Sequence, residues 1–241
     1  MPETVTEISP LEIERIALGV RFEPRFEIFD NVGKIVDSVL RSAGTPFGPS
    51  VFPQSQSTPT KHHLTNEDSE NSLRFSHQDA ILDFTVNTRN IESIEKLAAG
   101  YEDFVLAPLR DAGLRGIQRY GILFRLAECG TLLHESPVRH YLGEDFDSAN
   151  SLQLRFTRRL PVMEAVAKKD INDFKNAIYS VEQTDEGSVS IQVDYQEYFD
   201  PVLDASAWKS KPYGKFADRG VVYLLGEFQD WLAKLRRDQA A

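Results

Sequence analysis

The stretch Arg119-Tyr120-Gly121-Ile122-Leu123-Phe124-Arg125-Leu126 constrains the fold more than any other part of the chain. From Tyr120 to Leu126 the even positions are apolar and the odd ones mixed, the period of two that marks a half-buried strand. A chain built around it needs a sheet with one packed face and another face that carries Arg119 and Arg125. On such a face the two arginines can hold an anion, pair with a partner's carboxylates, or meet water.

The same alternation in Ile16, Leu18, Val20 and Phe22 predicts a strand over 11–23, closed by Glu23-Pro24. Ile28, Val32, Ile35, Val36, Val39 and Leu40 recur at helical spacing, with Gly44 as the stop. Residues 45–71 turn to Pro, Ser, Gln and Thr and read as a long polar connection, mobile in part. Leu73 and Phe75, then Ala80, Leu82, Phe84 and Val86, predict a hairpin through Ser76-His77-Gln78-Asp79. Ile91, Ile94, Leu97, Ala98, Tyr101, Phe104, Val105 and Leu109 form the longest apolar stripe, which Pro108 bends or ends. Beyond the central strand the pattern predicts a short helix over 137–142 and a strand at Leu152, Leu154 and Phe156. A hairpin of 177–183 with 189–195 follows, and then a terminal helix from Val221 to Leu235.

Helices separated by hairpin-linked strands point to an α+β fold, a largely antiparallel sheet with helices packed on one face. We expect a single domain over 1–241, with intimately packed halves at 8–127 and 137–237. The first half has a ferredoxin-like element order. The hairpin and helix of the second half echo residues 72–112 without a matching sequence repeat, which leaves duplication open.

The 241 residues are 41% hydrophobic, enough for a full core. Asp and Glu outnumber Lys and Arg, 37 to 27, so the surface field is negative and repels phosphate backbones. No apolar run approaches the roughly 20 residues that span a bilayer, and the acidic start Met1-Pro2-Glu3-Thr4 is unlike a signal peptide, so the expected compartment is the cytoplasm. A single cysteine, Cys129, excludes an internal disulfide and any multi-cysteine metal site.

Motifs of the common enzyme classes are missing: there is no phosphate-binding loop, dinucleotide glycine fingerprint or nucleophile elbow. His62 and His63 are adjacent in the polar connection and read as solvated. His77 reads as turn chemistry, and His134 and His140 flank Pro137 with no fixed geometry. Cys129 with His134 is weighed as a thiolate-imidazole pair, but a structural cysteine is the preferred reading. Asp79, Asp83 and Glu144-Asp145-Phe146-Asp147 offer carboxylates without the glycine and closing glutamate of a calcium loop. No metal and no cofactor are expected.

The opening Pro10-Leu11-Glu12-Ile13 running into Val20-Arg21-Phe22-Glu23-Pro24, the helical Tyr101 and the strand from Arg119 to Leu126 together resemble a sporadically distributed bacterial family of uncharacterised proteins of about this length. Members end the central strand on an Arg-Tyr-Asn-like motif, where this chain has Phe124-Arg125-Leu126. The resemblance implies a role beside a partner gene product, in bacterial defence or toxin control, and brings no catalytic residue with it.

The leading expectation is therefore a non-enzymatic module that docks another protein, or a second copy of itself, with Arg119 and Arg125 on the contact face. The alternative is a small-ligand binder or enzyme with a pocket between sheet and long helix, lined by Arg119, Arg125 and Tyr101. A third reading places nucleic acid on a basic, aromatic loop containing Trp208, Lys211, Tyr213 and Arg219.

Overall fold

The computed structural model describes residues 12–40, 54–58, 61–66, 71–88, 91–126, 152–160, 172–183, 189–204 and 212–231. Nine strands among them form one sheet: β1 (Ile13–Phe22), β2 (Gln54–Ser57), β3 (Lys61–Asn66), β4 (Asn71–Ser76), β5 (Asp79–Thr88), β6 (Ile117–Leu126), β7 (Leu152–Leu160), β8 (Phe174–Gln183) and β9 (Val189–Leu203). Their spatial order is β2-β3-β4-β5-β1-β6-β9-β8-β7, and every neighbouring pair is antiparallel. The expected α+β class holds, and strands from both halves of the chain share this one sheet.

One face of the sheet is the core. Ile16, Leu18, Val20 and Phe22 of β1 lie in register with Tyr120, Ile122 and Phe124 of β6 and with Ala80 and Leu82 of β5, all buried. Tyr195, Val193 and Ile191 of β9 continue the layer toward Ala177, Tyr179 and Val181 of β8. Against it pack α1 (Glu27–Asp30), α2 (Val32–Leu40), α3 (Ile91–Tyr101), α4 (Ala107–Asp111) and α5 (Pro212–Tyr223), whose Ile28, Ile35, Ile94, Leu109, Phe216 and Val221 join the same cluster. α3 runs into α4 through a widened π-type turn, Glu102–Leu106. Pro108 just beyond has no N–H and crowds the carbonyl four residues back, which is how the bend expected at Pro108 is absorbed.

Two expectations need correction. The polar connection over 45–71 contains β2 and β3: Leu64 is fully buried and faces Leu73, while Lys61, His63 and Thr65 alternate outward. Polar residues suffice here because β2 is the sheet edge, where a strand needs hydrogen bonds but little apolar area. His62 is accordingly not solvated but buried beside Phe75, and burial, followed by the charge of His63, pushes its imidazole down.

The terminal helix begins at Pro212, nine residues before the expected Val221, so much of the supposed basic loop is helical. Pro212 fits a first helical turn, where its absent N–H is not missed. Gly214 and Gly220 both lie within this helix. Gly220 sits where α5 crosses β6: a Cβ there would lie 2.9 Å from Ile122 Cγ2 and 3.4 Å from Tyr195 Cδ1. Gly220→Ala is therefore expected to destabilise by about 1–2 kcal/mol, because overpacking outweighs the roughly 1 kcal/mol gained in helix propensity. Urea melts check it, and a stabilised variant would show that α5 is free to lift off the sheet.

Candidate functional site

No described helix covers the second face of the sheet, where the odd residues of β1 and β6 stand. Register brings their arginines together: Arg15 lies opposite Arg125, and Arg21 opposite Arg119. Like charges directly across an antiparallel pair are destabilising unless neutralised. Arg15 is neutralised, through Nε and Nη2 at 3.1 and 3.0 Å from Asp83 Oδ1. Arg21 is exposed and makes no ion pair among the described residues, and the buried Nε of Arg125 has no hydrogen-bond partner there.

Arg119 begins a row that crosses four strands. It lies opposite Tyr198, donating to its hydroxyl at 3.2 Å with the guanidinium carbon 5.6 Å from the ring centre. Tyr198 lies opposite Phe174, and the two rings stack at 4.4 Å with 10° between their planes. Over Phe174 sits the guanidinium of Arg159 from β7, 4.2 Å from the ring centre. Two stacked rings thus stand between two arginines, with Arg21 one strand further on. Guanidinium stacking of this kind holds the cation by its face and leaves N–H donors at its edge for an anion.

A chain of hydrogen bonds along β9 stiffens the row. The Tyr198 hydroxyl donates to Gln196 Oε1 at 2.7 Å, and Gln196 Nε2 donates to Asp194 Oδ2 at 2.5 Å. Burial pushes the Asp194 carboxyl above the ordinary carboxylate range, against the pull of the Gln196 bond and of Arg119 and Arg155. A raised carboxyl takes up a proton on folding. The stability it contributes is present below its unfolded value and is lost as pH rises through its folded one. Asp194→Asn is expected to raise the melting temperature at pH 7 by roughly 1–2 °C and to leave it unchanged in acid. Equal melting of both proteins at the two pH values would contradict this.

Arg74 of β4 and Arg155 of β7 stand on the same helix-free face. Among the described residues they share this face with Arg15, Arg21, Arg119, Arg125 and Arg159 and with the carboxylates of Asp79, Asp83, Asp194 and Glu182, on a chain whose net charge is −10.

Tyr101 does not belong to this site. It is fully buried on the core side, where its hydroxyl donates to the Ala80 carbonyl at 2.8 Å, so it cannot line a pocket with Arg119 and Arg125. Tyr213 is also core: its hydroxyl accepts the Gly19 N–H at 3.0 Å and donates to the Gly121 carbonyl at 2.8 Å. Burial pushes the phenols of Tyr101 and Tyr213 well above their ordinary range, which keeps them protonated. Arg219 pairs with the buried Glu197, at 2.7 Å from Nε and 2.6 Å from Nη2. From Pro212 onward the expected basic, aromatic loop is therefore a helix whose Tyr213 and Phe216 are core. Trp208 and Lys211 lie outside the described residues, as do Cys129, His134, His140, the acidic run 144–147 and the helix expected over 137–142.

Sequence reading missed Arg21, Tyr198 and Phe174, and it shows Arg159 only as part of the basic cluster Arg155, Arg158 and Arg159. The signal within reach was a shared spacing: Ile13-x-Arg15 with Arg21, and Ile117-x-Arg119 with Arg125. Among the described residues no three His, Cys, Asp or Glu side chains converge as a metal site, and no helix is long and apolar enough to cross a membrane. No protein-family model matches the chain, and no curated protein sequence is significantly similar to it.

Proposed function

We propose that the chain is a docking module that binds an acidic segment of another protein on its helix-free sheet face, through Arg21, Arg119 and Arg159. The observation that carries this reading is the column Arg119–Tyr198–Phe174–Arg159, two cations held in place by a stacked aromatic pair. Carboxylates fit it better than nucleic acid for two reasons. The outer faces of the ring pair are already taken by guanidinium groups, which leaves no ring for a base to stack on. A net charge of −10 also repels a polyphosphate more than a short acidic peptide. A partner protein agrees with the role beside a neighbouring gene product that the family resemblance implies, in defence or toxin control.

We further read the sheet as two ferredoxin-like halves related by duplication. In support, its order β3-β4-β5-β1 is mirrored by β7-β8-β9-β6. The register of β1 against β5 slips between Ile13 and Arg15, and that of β6 against β9 slips between Ile117 and Arg119, at the same place in both patterns. Aligning Ile13 with Ile117 also aligns Leu18 with Ile122, and these two are direct cross-strand partners. A two-fold axis through that pair would exchange the halves, so that each half's first strand completes the sheet of the other.

The test is fluorescence anisotropy with a labelled glutamate-rich peptide and a single-stranded oligonucleotide of equal length. The peptide is expected to bind more tightly, and more weakly as salt rises. Arg119→Ala and Arg159→Ala should each weaken it about tenfold while changing stability by roughly 0.5 kcal/mol or less. Tighter oligonucleotide binding, or variants that bind the peptide like the parent, would overturn the reading.

A further inference from the structure

An open cleft of about 730 Å³ lies between α5 and the ends of β7, β8 and β9, where Phe174 and Tyr198 of the helix-free face also line it. That is the size of a small-molecule site. Leu160, Phe199, Val222 and Tyr223 give it apolar and aromatic walls. On its floor the Glu197 carboxylate receives the Tyr195 hydroxyl at 3.1 Å and the two Arg219 bonds, and it lies 3.3 Å from Lys175 Nζ.

Exposure separates these charges. The Glu197 side chain is 6% exposed, against 25% for Lys175 and 45% for Arg219. One carboxylate is hidden beneath two cations, so what a ligand meets at the floor is positive. Arg219 engages Glu197 through Nε and Nη2 and also reaches the Tyr195 side chain. Three further carboxylates line the cleft: Asp173 accepts the Asp200 N–H at 2.8 Å, Glu227 pairs with Arg158 at 2.9 Å, and Asp218 is exposed.

From this geometry we infer that the cleft binds a small organic carboxylate with an apolar or aromatic body. Its carboxylate meets Lys175 and Arg219, and its body lies against Phe199, Val222 and Tyr223. A carboxylate supplies the second negative charge that two cations around one glutamate lack, and apolar walls reward a ligand whose remainder is hydrophobic. An organic amine would place its charge over the same cations, at a cost.

The experiment is an amide NMR titration with three probes of one shape: 3-phenylpropanoate, 3-phenylpropanamide and 3-phenylpropan-1-amine. The carboxylate is expected to shift the Lys175 and Gly226 amides saturably, with the amide and the amine at least about tenfold weaker. Lys175→Gln should keep the folded spectrum and weaken the carboxylate about fivefold or more. Val222→Glu, which places a like charge on an exposed wall, should do the same. No saturable shift from the carboxylate, an amine that binds as tightly, or a Lys175→Gln variant that binds like the parent would overturn the assignment.

Discussion

Tyr213→Phe is expected to lower the free energy of unfolding by about 2–3 kcal/mol, although it removes a single oxygen atom. That hydroxyl stands where the two central strands of the sheet meet, taking the Gly19 N–H and giving its own proton to the Gly121 carbonyl. Phenylalanine fills the ring's place among Tyr101, Tyr120 and Phe216 but leaves a part-buried donor on β1 and a part-buried acceptor on β6 without this partner. Tyr101→Phe is the internal control. Its hydroxyl satisfies one carbonyl, that of Ala80, so its loss should cost only about 1 kcal/mol. Urea melts of both variants give the comparison, and equal losses would mean that the bridge between β1 and β6 is no more than a single ordinary hydrogen bond.

How much of this was legible follows from where each signal is written. The strands with one packed face announced themselves, because a single side chain in every two must be apolar: Ile16, Leu18, Val20 and Phe22, or Tyr120, Ile122, Phe124 and Leu126. The faces of Arg119 and Arg125 followed from the same parity. β2 and β3 stayed hidden because Leu64 is the one strongly apolar residue of Lys61–Asn66, and parity has nothing to read in Gln54–Ser57. The start of α5 was masked by Pro212, Gly214 and Gly220. The last of these is glycine because Ile122 leaves no room for a side chain, a reason that lies on another element.

Least legible was the arginine row. Arg21, Arg119, Tyr198, Phe174 and Arg159 come from five strands that meet only through register, and the nearest two in sequence, Arg159 and Phe174, are 15 residues apart. Sequence supplies the members of such a site through parity, whereas which members become neighbours is decided by strand order. The same limit explains Tyr101 and Tyr213. Both lie at apolar positions of helices, and only the packed fold shows that their hydroxyls end on sheet backbone rather than in a cavity.

Glu197→Ala should be among the most damaging single substitutions on the sheet, costing about 2–4 kcal/mol. The carboxylate is nearly inaccessible and holds Arg219 on α5, Lys175 on β8 and Tyr195 on its own strand at once. Its removal strips two cations of their counter-charge in a partly apolar cleft. Because Arg219 and Lys175 reach solvent, water can take over part of their solvation, so the loss should fall toward the lower end of the range for buried pairs. The diagnostic measurement is the double variant Glu197→Leu with Arg219→Met. If most of the loss comes from the abandoned charge, replacing both partners by apolar groups of similar size should recover at least about 1 kcal/mol relative to Glu197→Ala. If instead the double variant is the least stable of the set, the pair is net stabilising, and the ion pair itself fastens α5 to β9. Either way the result separates the electrostatic role of Glu197 from the packing of Phe216 and Val221, which lie on the same helix and are untouched by both variants.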